Sequence, residues 1–522
     1  MKDRILCLIL VPVLAAALLG GCSGSSADET AEDDTTAKLT ILNKESSESE
    51  SDNIICLTMR KPQTLNPLLN EDVTVDKVLK LVYEPLFNIS EEQSVIPNLA
   101  SGYDISEDGL TIRVTLKDGI SWQNGEPITS EDIAYSLDTI SEASDDAIYK
   151  YVLTNISDYY MEDWKTLVIT YDEVYSAAPY NLCFPLIPAD YYYNDSLPTV
   201  GSGPYSIESY DTKQYNLTAA EGVNGTPQIE GVKVLISPDY ETDYNAFNNG
   251  VTDVLDTSST GRDSYFADKE CTRSIYSTNS FEYFGFNNRL EIFNDNLALK
   301  QAIACCIDRE DIISGIYMNN LESSLTPVNP SAYISGEAGL PKYDYDLDNA
   351  LEILSNNDLY ASDYSFRILV NEDNAERVET ANKIAESLNV IGMNVTVDKR
   401  PYETYANLID NDDFDTFIGG TELRNGFDLR PLLISTASYS GTNFVNYSDG
   451  TMDALLEAEV RAVGSEAAKR AMGELERYFS TQLPLIGIGF KTGVVMTSSK
   501  IKGVTIPYIT NPYVNAAKWS IN

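Results

Sequence analysis

The chain contains no histidine at all. That single absence removes Ser-His-Asp and Cys-His catalysis, and with them His-ligated zinc and haem. Cysteine is scarce as well, seven in 522 residues, with Cys7 and Cys22 near the start. The others, Cys56, Cys183, Cys271, Cys305 and Cys306, are odd in number and lack CxxC spacing. They suit neither a disulfide framework nor a metal site. The adjacent Cys305-Cys306 pair sits in an apolar stretch and reads as two small hydrophobes. Positive charge is the third shortage: 36 Lys and Arg against 80 Asp and Glu leave a net charge of −44. Such a chain is repelled by nucleic acid and by anionic membrane surfaces, and its charge suits solubility outside the cell.

Long apolar runs are missing too. The one at Ile5–Leu19 is short for a membrane-spanning helix. It follows Lys2 and Arg4 and ends in Leu19-Gly20-Gly21-Cys22, the layout of a signal peptide. The tetrapeptide resembles a bacterial lipobox, which implies cleavage before Cys22 and a lipid on its sulfur. Residues 22–52 are rich in Ser, Asp and Glu without periodicity, as in a flexible tether reaching roughly 30 Å.

What remains is a body too long for one core, because cores stop growing near ~250–300 residues. Leu110, Ile112, Val114 and Leu116 alternate with polar residues, giving a half-buried strand led in by the turn Asp108-Gly109. Thr129 to Asp132 read as an N-cap run ahead of a helix. Later the chain settles into a βα rhythm: a strand at 366–370, a helical stripe from Val378 to Leu388, a strand at 393–397 and another at 414–420. This predicts a parallel sheet. Asp344, Asp346 and Asp348 suggest a calcium loop, but Asn349 and Ser355 stand where that loop needs Gly and Glu. Tyr345 to Ala350 better resembles a segment of a known protein family in which the acid caps a helix.

The stretch from Phe281 to Tyr317 organises the second half. Phe281, Tyr283 and Phe286 predict a short aromatic strand, and Ile303, Ile307, Ile312, Ile313 and Ile316 a long amphipathic helix. Lys300-Gln301-Ala302 through Asp308-Arg309 resembles the "RQAlayaiDR" helix of the family 5 extracellular solute-binding proteins of bacterial peptide-type importers. Other segments resemble that family in the same order: Leu65-Asn66-Pro67, Val82-Tyr83-Glu84-Pro85-Leu86, residues 97–140, Gly201-Ser202-Gly203-Pro204-Tyr205, and Asn245 to Val254.

The resemblance implies an α/β fold of two lobes, periplasmic-binding-protein type II-like, with an extra subdomain on lobe one and a ligand cleft between the lobes. Mapped by order, lobe one is residues 53–280 plus 490–522 and lobe two is 281–489. Strands are expected to cross between them near Tyr283–Asn287 and Ile488–Phe490. The implied function is capture of a peptide or related small solute for an ABC permease and its ATPase. The protein would be a monomer held at the outer face of the cell membrane by its lipid alone, without cofactor, metal or nucleic acid. A sensing ectodomain or an enzyme on the same fold is the alternative, though an enzyme would need a nucleophile–base pair that does not stand out here.

Cleft positions carried over are Asn66, Tyr83, Gly203, Tyr205, Tyr283, Asn287, Thr421, Glu422, Arg424 and Asp428. In peptide-binding relatives a segment like "gWxxDxxDP" follows a lobe-two strand, and its acid holds the peptide's amino terminus. Here residues 419–431 lack the Trp, and Glu422 is the nearest acid. Arg424 could hold a carboxylate instead.

Overall fold

The computed structural model describes residues 53–189, 197–257, 270–336, 339–436, 442–506, 512–513 and 515–521. The expected signal segment, the Cys22 lipidation site and the tether lie outside the described residues. Among those described, no helix is long and apolar enough to cross a membrane.

The first part of the body holds two four-stranded sheets. In one, Ile54–Met59 runs parallel to Gly231–Ile236, which continues antiparallel to Gln214–Ala219 and Tyr205–Tyr210. The other is antiparallel and contains Ala100–Ile105, Thr111–Leu116, Thr166–Tyr171 and Ile156–Met161. The predicted alternation holds in it: Ile112, Val114 and Leu116 are buried, and Gly109 turns the hairpin at φ +72°. The helix Ser130–Glu142 follows, with the backbone N–H of Thr129 donating to the Asp132 carboxylate at 2.7 Å.

A seven-stranded sheet dominates the second part. Ser365–Asn371 pairs in parallel with Asn394–Arg400 and with Thr416–Glu422, as the βα rhythm predicted. The helix Ala375–Val390 connects the first two strands. The aromatic strand is longer than its sequence suggested. It runs from Cys271 to Phe286, because Cys271–Ser277, though only half-buried or exposed, still find a partner in Thr492–Ser498. Its alternation separates two cores: Phe281 and Tyr283 face one, Phe284 and Phe286 the other.

The long amphipathic helix is corrected to three pieces. The first, Leu297–Cys305, stops before Asp308, whose carboxylate accepts from the N–H of Asp311 at 3.0 Å and starts a new turn at Arg309–Asp311. Ile312–Ile316 is wound more widely, with Tyr317 N–H reaching the Ile312 carbonyl. Asp346 caps Leu347–Asn356 as read, accepting from Asn349 N–H at 2.9 Å.

The two long strands change partners along their length. Cys271–Ser277 pairs with Thr492–Ser498, beside Val254–Thr257. Past a register shift, Phe281–Gly285 pairs with Leu485–Phe490, beside Thr416–Glu422. The change falls at a register shift between Ser277 and Phe281. The reason is local: the Thr278 hydroxyl bonds the Lys491 carbonyl at 2.6 Å and interrupts the ladder there. On the return strand the change falls at Phe490–Thr492.

Candidate functional site

The strand Thr416–Glu422 delivers its carboxyl end beside that change of partners. Carboxyl ends of open α/β sheets are where ligands lie. The chain leaves the strand with Leu423 N–H bonded to the Asn279 carbonyl at 3.0 Å, and Asn279 donates to the Asn425 side chain at 2.7 Å. Gly426 adopts φ +95°, and a Cβ there would overlap Ala177, so this turn requires glycine. Phe427 then meets Tyr180 edge-on, with ring centroids 5.9 Å apart. Nearby, Ser176 N–H bonds the Val460 carbonyl at 2.7 Å, and Tyr333 N–H the Glu92 carbonyl at 2.7 Å. Residues 423–462 thus close onto residues 173–183, and Tyr333 onto Glu92.

Under this closure lies a cavity of about 150 Å³. Asn425 walls it on one side, and Lys80, Phe87, Asn88, Tyr149 and Tyr151 are among its other walls. Lys80 is paired with Asp76 at 2.7 Å, and Tyr149 donates to the same carboxylate at 2.8 Å. The volume is below the ~300–1,000 Å³ of pockets for drug-sized ligands and suits one side-chain-sized group.

Charge gathers at the strand crossing. Glu282 is fully buried and meets Arg377 through two bonds of 2.8 Å, with Lys491 at 3.1 Å. Burial alone would raise its pKa; the two cations overcome that and hold the carboxyl below its ordinary value. A Cβ on Gly420 would overlap this pair, so glycine lets the strand pass over it. Glu422 stands at the edge of the same group. Its surface is exposed, yet the surrounding protein desolvates it and pushes its carboxyl up, against the bond from Ser280 and the charge of Lys491. Glu282, Arg377 and Lys491 were missed in the sequence. They are 95 and 209 residues from each other's neighbourhood in the chain, and no local pattern marks them.

The positions carried over from the resemblance divide into two groups. Asn66 caps a short turn, accepting from Leu68 N–H at 3.0 Å. Gly203 packs on the backbone of Leu81 and Val82, and the buried Tyr205 donates to the Ile229 carbonyl at 3.2 Å. Tyr83 is buried, and Tyr283 is buried edge-on against Phe417. Asn287 donates to the carbonyls of Phe414 and Asp412. None of these six walls the cavity at Asn425. Thr421, Glu422, Arg424 and Asp428 do come together at the crossing and the loop that leaves it. Among them Asp428 is already engaged by Arg430 through bonds of 3.0 and 2.8 Å, while Arg424 is exposed. Burial pushes the Tyr175 hydroxyl up to about 12; Asp428 adds to this, and Arg430 and Arg424 oppose it.

A family model described as bacterial extracellular solute-binding proteins, family 5 Middle, matches residues 94–441. The chain belongs to this family. Oligopeptide-binding protein AppA of Bacillus subtilis is 22% identical over 511 residues, 88% of each chain. Heme-binding protein A of Haemophilus influenzae is 22% identical over 550 residues, 96% of each. Among solved structures, the ABC transporter substrate-binding protein CtaP of Listeria monocytogenes matches with TM-score 0.75 at 21% identity, over 90% of this chain and 98% of that one. HbpA2 of Haemophilus parasuis gives 0.76 at 19%, over 90% and 99%. These likenesses establish the two-lobe α/β fold of the type II binding proteins. Membership makes the molecule a solute-binding protein, not an enzyme; members of the family work with ABC permeases.

Proposed function

We propose that this solute-binding protein captures a peptide or related small solute between two lobes, residues 53–280 plus 490–522 and residues 281–489. It then delivers that solute to a permease and its ATPase, as a monomer tethered by a lipid on Cys22 at the extracytoplasmic face of the membrane. The observation that carries the reading is the loop after Glu422, which closes a cavity against residues of the first part beside a desolvated carboxylate. In the ligand, a cationic group would meet Glu422 and an anionic one Arg424. The oligopeptide-binding protein AppA among the relatives supports a peptide, and the small cavity favours a short one.

Native mass spectrometry of the purified protein with a pool of short peptides identifies the ligand as a one-to-one adduct. Calorimetry on Glu422→Gln and Arg424→Gln then tests the contacts. Each variant is expected to weaken binding about 30-fold or more, since breaking a desolvated charge pair costs at least ~2 kcal/mol. Unchanged affinity in both returns the pair to the loop surface.

A further inference from the structure

A second, larger concavity lies at the other end of the seven-stranded sheet. Glu422 is paired opposite Ser280, and this cavity opens beyond Phe286, six strand residues and so about 20 Å away. Its volume is about 990 Å³. It sits at the amino end of Thr416–Glu422, away from the interlobe closure, and it does not depend on the function proposed above.

Lys300, on the first turn of the helix Leu297–Cys305, is the key side chain in its wall. It is only 4% exposed. Its Nζ donates to Asn288 Oδ1 at 2.5 Å and lies 5.6 Å from the ring centres of Phe286 and Tyr447. Asn288 is itself fixed, because its amide donates to the carbonyls of Val445 and Pro484 at 2.8 and 2.9 Å. An ammonium carries three donors. Among the described residues no carboxylate lies within ion-pair distance of this one. Burial lowers its pKa to about 8, against the opposing charge of Asp295. A buried ammonium with a single side-chain oxygen is poised for an anionic group.

The acids in the wall fall into two kinds. Asp412 is taken by Arg289 and by Asn446 Nδ2, and Asp449 caps the helix Gly450–Val460. Asp295 and Asp410 have no cationic side chain within ion-pair distance among the described residues. Among the described residues the cavity therefore offers one unpaired cation and two unpaired anions, between walls carrying side-chain amides such as Asn294 and Gln482. Those amides match the donors and acceptors of peptide groups.

We infer that this cavity is a second ligand site, which takes a small zwitterion of short-peptide size with its carboxylate on Lys300 and its ammonium towards Asp295 and Asp410. Calorimetry on the full body with trialanine as the probe tests this, and N-acetyl-trialanine amide serves as the uncharged counterpart. Trialanine is expected to bind both the wild type and Glu422→Gln, which separates this site from the interlobe cleft. The blocked peptide is expected not to bind. In the Glu422→Gln protein, whose cleft binding is weakened, Lys300→Met should weaken trialanine binding about ten-fold or more, the usual weight of a hydrogen bond to a charged group. Ser448→Trp, a change at an exposed wall residue that fills the cavity, should do the same, and it decides alone should Lys300→Met fail to fold. The inference is overturned if trialanine does not bind, if the blocked peptide binds equally, or if the cavity variants bind as the wild type does. Loss of binding in Glu422→Gln alone would assign the peptide to the interlobe cleft and equally overturn it.

Discussion

A carboxylate with no exposed surface, as Glu282 has, persists only where cations meet its oxygens. Arg377 and Lys491 do so, which ties three distant segments together under Gly420. Removing the acid's charge would leave Arg377 buried without its partner, so Glu282→Gln is expected to destabilise the fold by about 3–5 kcal/mol in urea unfolding at neutral pH. The pH dependence has a definite sign. The folded carboxyl lies below its unfolded value, so its contribution is complete above the unfolded pKa of ~4.3 and fades as pH falls through the folded value. The variant should therefore approach the wild type in acid; an unchanged gap at low pH would show that the loss comes from packing. None of this was legible in the sequence. Glu282 alternates within an aromatic run and reads as a solvent-facing residue, and only strand pairing brings Lys491 to it. Glu422 and Arg424 were legible as positions, since they follow a strand, but the desolvation of Glu422 comes from the protein around it.

At the scale of elements, local chemistry was the better guide. Asp346 was readable as a cap through the family resemblance, and the structure has the cap's bond to Asn349, in which the carboxylate satisfies a free N–H at the helix start. Asp346→Ala is expected to cost about 0.5–2 kcal/mol in thermal or urea unfolding. A cost near zero would mean that packing of Ala350 and Leu354 alone holds the helix. The run Asp308–Asp311 was misjudged by the same chemistry. Isoleucines at helical spacing on both sides suggested one helix, whereas Asp308 caps a new turn between them. The long strand shows the other limit. Its aromatic half announces itself by burial, and its half from Cys271 to Ser277 exists only because the return strand lies alongside.

For the whole molecule, the missing histidines become useful. With none to titrate, Glu459, a carboxyl raised by burial, becomes a source of a slope of stability between pH 5 and 8. Glu459 stands at the closure, 3.3 Å from the Ser176 hydroxyl. Burial and the neighbouring Asp428 push it up to about 8, against the Ser176 bond and Arg430. Arg430 is shared with Asp428, Glu173 and Glu457. Because the folded group holds its proton more tightly than the unfolded one, its contribution is full below the unfolded pKa of ~4.3 and is lost as pH rises towards 8. Urea melts at pH 5.5 and 8 should show wild type losing stability over that range and Glu459→Gln losing less; equal slopes would exclude Glu459 as a source.

The central claim is that ligand enters between two lobes that part and close about the strand crossing. Ser176 and Val460 are bonded backbone to backbone across the closure, so cysteines at both positions can form a bridge that locks it. The decisive measurement is calorimetric binding of the ligand found by native mass spectrometry to the Ser176→Cys/Val460→Cys protein that also carries Ser448→Trp to fill the second cavity, oxidised before ligand is added and then reduced. The account predicts no binding while the bridge is intact and full recovery on reduction. Wild-type affinity in the oxidised form would contradict it.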